Sequence, residues 1–446
     1  MLLAALGAGI CLCIAGGAST RAPGDIGSMT RERAVLYVLW AAGAGALYMV
    51  AVLRPAVQGR AALWVVLGFA AIMRAITFAP PPLLSTDAYR YVWDGRVQAA
   101  GINPYLHIPA APELQALRDT GTGPAAIYSN INRADFAPTI YPPAAQAIFA
   151  TVGVVWPTLW GMKAAMLAFD LMALGAALGL LRAARVPLER VLIYAWNPLV
   201  AWEFAGGVHI DAAATGLTGL ALLAAVRRWP ALASAALALA ALCKLLPAAL
   251  FPAFWRRWDW RTPAIAAAVI AAGYACYAGA GWRVLGYLPG YAKEEEIAGG
   301  GAFLLRLLAL LGPAPSWAGL AYLGAGALLL GGLAARVMWQ PPLPADPGGR
   351  ATTLCRDVMW LGAATAAVLS PHYPWYLAPL ALPAVLAPAP AVLWLTVASP
   401  VLYLDHGFDE VTWPALVFLP SAALLAWDWL RQARPPRKEA SHVRNA

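Results

Sequence analysis

The chain alternates long apolar runs with short polar turns, and the lengths of the runs set the expected architecture. Residues 35–53, 61–79, 160–182, 262–280, 316–335 and 413–430 each approach the roughly 20 residues that cross a hydrocarbon core of about 30 Å. Shorter runs at 1–17, 144–155, 191–205, 212–226, 302–312, 357–370, 375–388 and 391–404 predict half-spans, re-entrant pieces or short spans. The first of these lacks the basic leader of a signal peptide and is expected as a membrane segment. A further run, 231–255, contains Lys244 and Pro247 and has basic residues at both ends, so it predicts a broken hairpin with Lys244 near its tip. The pattern predicts an all-α polytopic membrane protein of about 11 to 13 membrane segments.

Basic residues then orient the runs. Arg54 and Arg60, Arg182 to Arg190, Arg227 and Arg228, and the proline-rich loop 337–355 are expected to be cytoplasmic. Residues 80–141, Gly206 to Asp211, 281–300 and Ser370 to Tyr376 then fall outside. The expected divisions are N-terminal membrane segments 1–79, an extracytoplasmic loop 80–141, a transmembrane bundle 142–430 and a basic, disordered cytoplasmic tail 431–446.

Composition sharpens this picture. Charged residues make up only 12% of 446, against about 25% in soluble domains, and the mean hydropathy is +0.64. The net charge of +9 sits in short clusters between apolar runs, which fits membrane topology and implies no nucleic-acid partner. Alanine-rich spans and an excess of Arg over Lys are compositional hints of a bacterial source. The five cysteines lie in or beside apolar runs without metal or disulfide spacing.

Against this background, Thr86–Tyr105 (TDAYRYVWDGRVQAAGINPY) is dense in charge and aromatics. Ser85 as N-cap, Gly101 as the residue past the C-cap and Asn103-Pro104 as a stop predict one helix of about 15 residues. Asp87, Tyr91, Asp94 and Gln98 recur at spacings of four, three and four, so they share one face, with Arg90 beside them. Trp93 and Val97 point elsewhere and suit an apolar surface, so the helix is expected along the membrane boundary with its polar face toward a cleft. Interfacial Tyr, Trp and Arg are ordinary membrane anchors, so any one of these residues alone carries little weight. An anchor has no use for the two carboxylates of the stripe.

The other costly polar groups, Tyr141, Gln146, Asn197, Glu203, His209, Asp211, Lys244, His372 and Tyr373, fall on the same expected side. Charges at bilayer depth persist where they line a watery cavity or pair with each other. Asp87, on the first turn of its helix, suits a base that takes a proton from an attacking hydroxyl. Arg90, Arg96, Lys244 and His372 suit an anion such as a lipid phosphate. Glu203 reads either as a site residue or as the ion-pair partner of Lys244. His209 reads as an acid, base or phosphate donor, or as a hydrogen-bonded interfacial histidine. His209-x-Asp211 lacks further ligands at recognisable spacing, so no metal is expected.

In order along the chain, an Asp opening the first outer loop, a helix ending Gly101-Ile-Asn-Pro-Tyr105, Tyr141-Pro-Pro with Gln146, Phe169-Asp170, Trp196-Asn197-Pro198, His209-x-Asp211 and Lys244-x-x-Pro247 resemble the glycosyltransferase C superfamily. Within it, the chain is similar to bacterial polyprenyl-phosphate-mannose-dependent mannosyltransferases. The likeness runs from about 61 to 260, and the remainder matches only in hydropathy. The resemblance implies a glycosyltransferase C-type bundle with juxtamembrane helices in the large first loop, in a bacterial inner membrane with the site on the extracytoplasmic side. It also implies a polyprenyl-phosphate sugar donor, a glycolipid or glycan acceptor, inversion at the anomeric carbon, and a catalytic base at Asp87. Asp94 matches the second acid often found near that base. Arg90 and Tyr91, with Gln98, Tyr105, Tyr141, Gln146, Asn197, Glu203, Asp211 and Tyr373, are expected around the substrates, and Arg96, Lys244, His209 and His372 are the alternatives for the phosphate. Some relatives carry Asp-x-Asp, and this chain has Tyr89 where the second Asp would stand, so a metal-independent transfer without cofactor is expected. The competing class is a secondary transporter or lipid flippase that uses the same buried charges. The clustering of polar residues on one side, the long outer loop and the lack of an inverted repeat stand against it.

Overall fold

Long apolar runs can satisfy their backbone groups without water only by forming helices. A computed structural model describes residues 1–20, 30–54, 58–119, 125–256, 259–295, 301–404 and 411–433, and no strand occurs among them. The main helices are α1 (Leu2–Ala18), α2 (Arg31–Leu53), α3 (Arg60–Phe78), α4 (Asp87–Ala99), α5 (Pro143–Val155), α6 (Leu159–Ala183), α7 (Asp211–Val226) and α8 (Pro230–Cys243). They continue as α9 (Arg261–Ala275), α10 (Ala318–Met338), α11 (Pro347–Leu369), α12 (Pro390–Ala398) and α13 (Thr412–Ala433). Helices α2, α3, α6 and α10 are long and apolar enough to cross a membrane, and the bent pairs Pro198–Gly206 with α7 and α9 with Ala278–Glu294 raise the count to six if each is one span. The protein is an all-α polytopic membrane protein with fewer full-length spans than the run count suggests, because many runs break into short pieces. Proline accounts for several breaks: Pro142 and Pro143 start α5, Pro247 and Pro252 interrupt 246–254, and Pro374 and Pro379 confine 374–380 to a tight helical turn. Helix α11 starts at Pro347, inside the stretch expected as a cytoplasmic loop, because Asp346 caps it by accepting from the Gly349 N–H at 2.5 Å. The expected tail lies outside the described residues from 434 onward.

Helix α1 packs on both α2 and α3, α6, α7 and α8 form a consecutive layer, and α9 lies on α8. The late segments close the bundle, since α12 and the turn Ser399–Leu404 pack on both α13 and α2. Arg74, Asp170 and Lys163 are buried within this core. Arg74 of α3 pairs with Asp170 of α6 at 2.6 Å and donates to the Ala195 carbonyl, while Tyr194 donates to the same carboxylate at 2.7 Å. Lys163 of α6 donates to the Thr77 and Gly206 carbonyls, tying α3 and α6 to the turn that precedes α7. Neither Arg74 nor Lys163 figures in the sequence reading, although a cation inside an apolar run is the signal that marks them.

Removing one member of a buried pair costs more than the pair contributes, because the other charge is left uncompensated. Asp170→Ala is therefore expected to destabilise the protein by about 3–5 kcal/mol, whereas the double change Arg74→Met with Asp170→Leu recovers most of that loss. Thermal unfolding in detergent checks both.

Candidate active site

Helix α4 is held at both ends and along one side. At its start the Asp87 N–H donates to Ser85 Oγ at 3.2 Å, so Ser85 fills its expected capping role from one residue outside the geometric cap, Thr86. At its end the Gly101 N–H reaches the Gln98 carbonyl and the Ile102 N–H the Val97 carbonyl, with Gly101 at φ +77°. That paired closure needs a residue free to be left-handed, which is why glycine stands there. In the middle, Gly95 lies directly on Gly153 of α5, where a Cβ on either would collide with the other helix's backbone.

The helix does not lie exposed along a boundary. Ala88 to Gly95 and Val97 are all buried, Trp93 included, because residues 102–119 and 125–142 fold back over the outer side. Asp119 anchors that connection: it pairs with Arg96 at 3.0 Å and accepts from the Ile127 and Tyr128 N–H groups. Burial raises its pKa, but these hydrogen bonds outweigh burial and hold the carboxyl below its ordinary range.

The polar stripe divides by depth. Asp94, expected beside Asp87 at the chemistry, is 1% exposed; Arg90 binds it at 2.8 Å and Gln146 at 3.0 Å, so its carboxylate is used in joining α4 to α5. Gln98 donates to Gln146, and Tyr91 stacks on Phe149 of α5 with centroids 4.6 Å apart. Only Asp87 at the top of the stripe opens into space, where a cavity of about 610 Å³ lies against it.

That cavity is lined by Asp87, Arg90, Arg133, Tyr141 and Lys244 from the first part of the chain, and by Tyr287, Tyr291, Tyr373, Trp375, Tyr376 and Tyr403 from the second. Asp87 is the one carboxylate among the described residues that line it. Lys244 occupies the extended break after α8, bonds Asp211 at 3.0 Å and lies 4.0 Å over the Tyr376 ring. Glu203 is therefore not its partner; Tyr403 donates to Glu203 at 2.9 Å. Arg133 sits at φ +56° and pairs with Glu294 at 2.8 Å. Both cations lie within Coulombic reach of Asp87. A second cavity of about 220 Å³ shares Lys244, Leu246, Tyr291 and Tyr376 with the first and is otherwise largely apolar, lined by residues such as Leu250, Leu323, Val358 and Leu382, with His372 and Glu295 at one edge.

The structure thus brings Asp87, Arg90, Tyr141, Lys244 and Tyr373 to one cavity and places Asp211 and His372 at the adjoining one. The remaining expected residues lie elsewhere. Arg96 faces Asp119; Asn197 caps Pro198–Val200 and donates to Thr396; Tyr105 donates to the Tyr141 carbonyl; Gln98 and Gln146 hold α4 to α5. His209 is wholly buried behind Asp87 and lines neither of the two larger cavities, so it is not placed to hold a phosphate there. Sequence reasoning missed Arg133, Tyr291, Trp375 and Tyr403. A basic residue in a loop assigned outside by the positive-inside pattern is the one signal that marks Arg133.

Among the described residues no group of three His, Cys, Asp or Glu converges as metal ligands do. A family model described as alpha-(1->6)-mannopyranosyltransferase, N-terminal domain, matches residues 1–258. Comparison with curated proteins and with solved structures gave no match. The model covers the helix that presents Asp87 and the break that presents Lys244, while the aromatic wall from Tyr287 to Tyr403 lies beyond it.

A methyl group at position 95 meets the Phe149 backbone carbonyl of α5, so Gly95→Ala forces α4 off its support. Overpacking of this kind costs about 1–3 kcal/mol, measurable as a lowered unfolding midpoint in detergent. Gly68→Ala, with open space around it, serves as the neutral control.

Proposed function

The chain belongs to the alpha-(1->6)-mannopyranosyltransferase family, and from that premise we propose that it transfers mannose from a polyprenyl-phosphate donor to a glycolipid or glycan acceptor. The reaction takes place at the extracytoplasmic face of a bacterial inner membrane, with inversion at the anomeric carbon. The observation that carries this reading is that, among the described residues, a single carboxylate, Asp87, lines a cavity whose other charged groups, Arg90, Arg133 and Lys244, are cations. A base and an anion-binding pole share one chamber.

In this mechanism Asp87 accepts the proton of the acceptor hydroxyl as its oxygen bonds to the anomeric carbon. The bond from that carbon to the phosphate oxygen breaks, and the electron pair leaves with the phosphate. Lys244 and Arg133 stabilise the departing charge, each already held by a carboxylate, Asp211 and Glu294, that fixes its direction. The apolar pocket beyond Lys244 receives the start of the prenyl chain, which puts the phosphate where the two cavities meet. Tyr141, Tyr287, Tyr373 and Tyr376 give the sugars aromatic faces and hydroxyls. The expected Asp94 takes a positioning role here, through Arg90 and Gln146. Family membership is that of a transferase, so the carrier reading is set aside.

Purified protein in nanodiscs, supplied with radiolabelled polyprenyl-phosphate-mannose and a lipid-glycan extract, is expected to move label into the glycan fraction. Asp87→Asn, equally abundant and equally stable, is expected to lose about 10²–10⁴-fold of that rate. Label moved equally by both proteins removes Asp87 from the role of base. Lys244→Met, which also strips Asp211 of its partner, is expected to weaken donor affinity about 10- to 100-fold, as loss of a charge-assisted hydrogen bond does. Donor titrations with each variant check it.

A further inference from the structure

Three unusual backbone features succeed one another directly behind Asp87. Residues Ala201–Gly206 form a π-helical turn, the chain bends by 115° between Pro198–Gly206 and α7, and Val208 adopts φ +65°. A β-branched residue in the left-handed region is strained, and π turns and strain gather where a side chain must be aimed. The side chains aimed here are Glu203 and His209.

The His209 ring is wholly buried. It stacks on Trp375 at 4.0 Å, and a Cβ on Gly207 would lie 2.7 Å from its Cδ2, so a bare glycine backbone closes its other side. Its Nε2 lies 3.3 Å from Glu203 Oε2 and its Nδ1 lies 3.8 Å from Asp87 Oδ2. Neither nitrogen makes a hydrogen bond, a rare condition for a fully buried imidazole. On the far side is a cavity of about 30 Å³ lined by Glu203, His209, Tyr37, Ser85 and Tyr403, room for about two waters. The ring therefore spans the gap between the carboxylate at the large cavity and a carboxylate beside the small cavity, which adjoins the large one at Leu84, Ser85 and Tyr403.

We propose that His209 and Glu203 form a proton relay that serves Asp87, carrying the acceptor's proton from the reaction chamber to the small cavity behind it. The inference rests on the reading of Asp87 as the base. The acceptor O–H bond breaks and its proton goes to Asp87, while the electron pair left on oxygen forms the new bond to the anomeric carbon. Asp87 closes on Nδ1 and passes the proton there as Nε2 gives its own proton to Glu203, which discharges it to water in the small cavity. As products leave, the Nδ1 proton returns through Asp87 to water in the reaction chamber and Glu203 passes one from water in the small cavity to Nε2, which restores the first tautomer. Contacts of this length tighten when substrate closes a site. The groups facing the ring are Asp87 from α4, Glu203 from the π turn, Tyr37 from α2, Tyr403 from the 399–404 turn, and Trp375 with Tyr373 stacked behind it. His209 and Glu203 are positioning residues, because neither lines the chamber where the reacting atoms meet.

The test compares His209→Phe, which keeps a ring against Trp375, with His209→Ala, which opens space beside the small cavity for added imidazole. Asp87→Asn runs in parallel under the same mannose-transfer assay, and unfolding midpoints are recorded for all three. The relay predicts a kcat about 100-fold down in His209→Phe with KM for donor and acceptor within about twofold, and at least a tenfold recovery of His209→Ala by imidazole. Asp87→Asn inactive while His209→Phe turns over within threefold of the wild type overturns the relay and leaves the base in place. Indifference of a folded His209→Ala to imidazole also overturns it. Full activity in Asp87→Asn overturns the base reading itself.

Discussion

Where α4 crosses α5 there is no room for a side chain on either helix, and the position of Asp87, the proposed base, follows from that contact. Gly95 and Gly153 meet backbone to backbone, which brings Tyr91 onto Phe149 and lets Gln146 reach both Asp94 and Gln98. With the lower stripe consumed in docking, the one acid left free is the residue at the helix's first position. Asp87 also sits at the end of the helix where unpaired N–H groups and the macrodipole favour negative charge. The helix is thus a lever whose long arm is packing and whose tip carries the proposed base.

Much of this was legible in the chain. Period and caps locate α4 to within two residues, and the glycine past its end performs the predicted closure. The break at Lys244 also emerges as expected, since a lysine and a proline cannot both sit inside one span. What spacing could not supply was depth. Asp94 and Asp87 lie on the same helical face, yet one is sealed under Gln146 and the other opens into a chamber, a difference made by α5 and by the fold-back of residues 102–119 and 125–142. Partner choice was equally hidden: Lys244 selects Asp211 and leaves Glu203 to Tyr403 and His209 because the π turn rotates Glu203 toward the opposite side. No local pattern announces a π turn.

The chamber also shows why the second half of the chain carries so little recognisable pattern while supplying half of the walls. Tyr287, Tyr291, Tyr373, Trp375, Tyr376 and Tyr403 come from short turns between broken helices, where aromatic residues pass for interface anchors. Brought together they face the cations and the carboxylate contributed by the matched domain, so the cavity is walled by both parts. Low dielectric in such a chamber strengthens each aimed charge, and the carboxylate partners of Lys244 and Arg133 hold those charges in place before substrate arrives.

The proposed transfer depends on one donor spanning both cavities, and a structure of the Asp87→Asn protein with polyprenyl-phosphate-mannose bound decides whether it does. The expected arrangement has phosphate against Lys244, prenyl carbons in the apolar pocket toward Leu323 and Val358, and the anomeric carbon in the larger cavity facing residue 87. A donor seated with its sugar away from residue 87, or with its phosphate remote from Lys244, contradicts it.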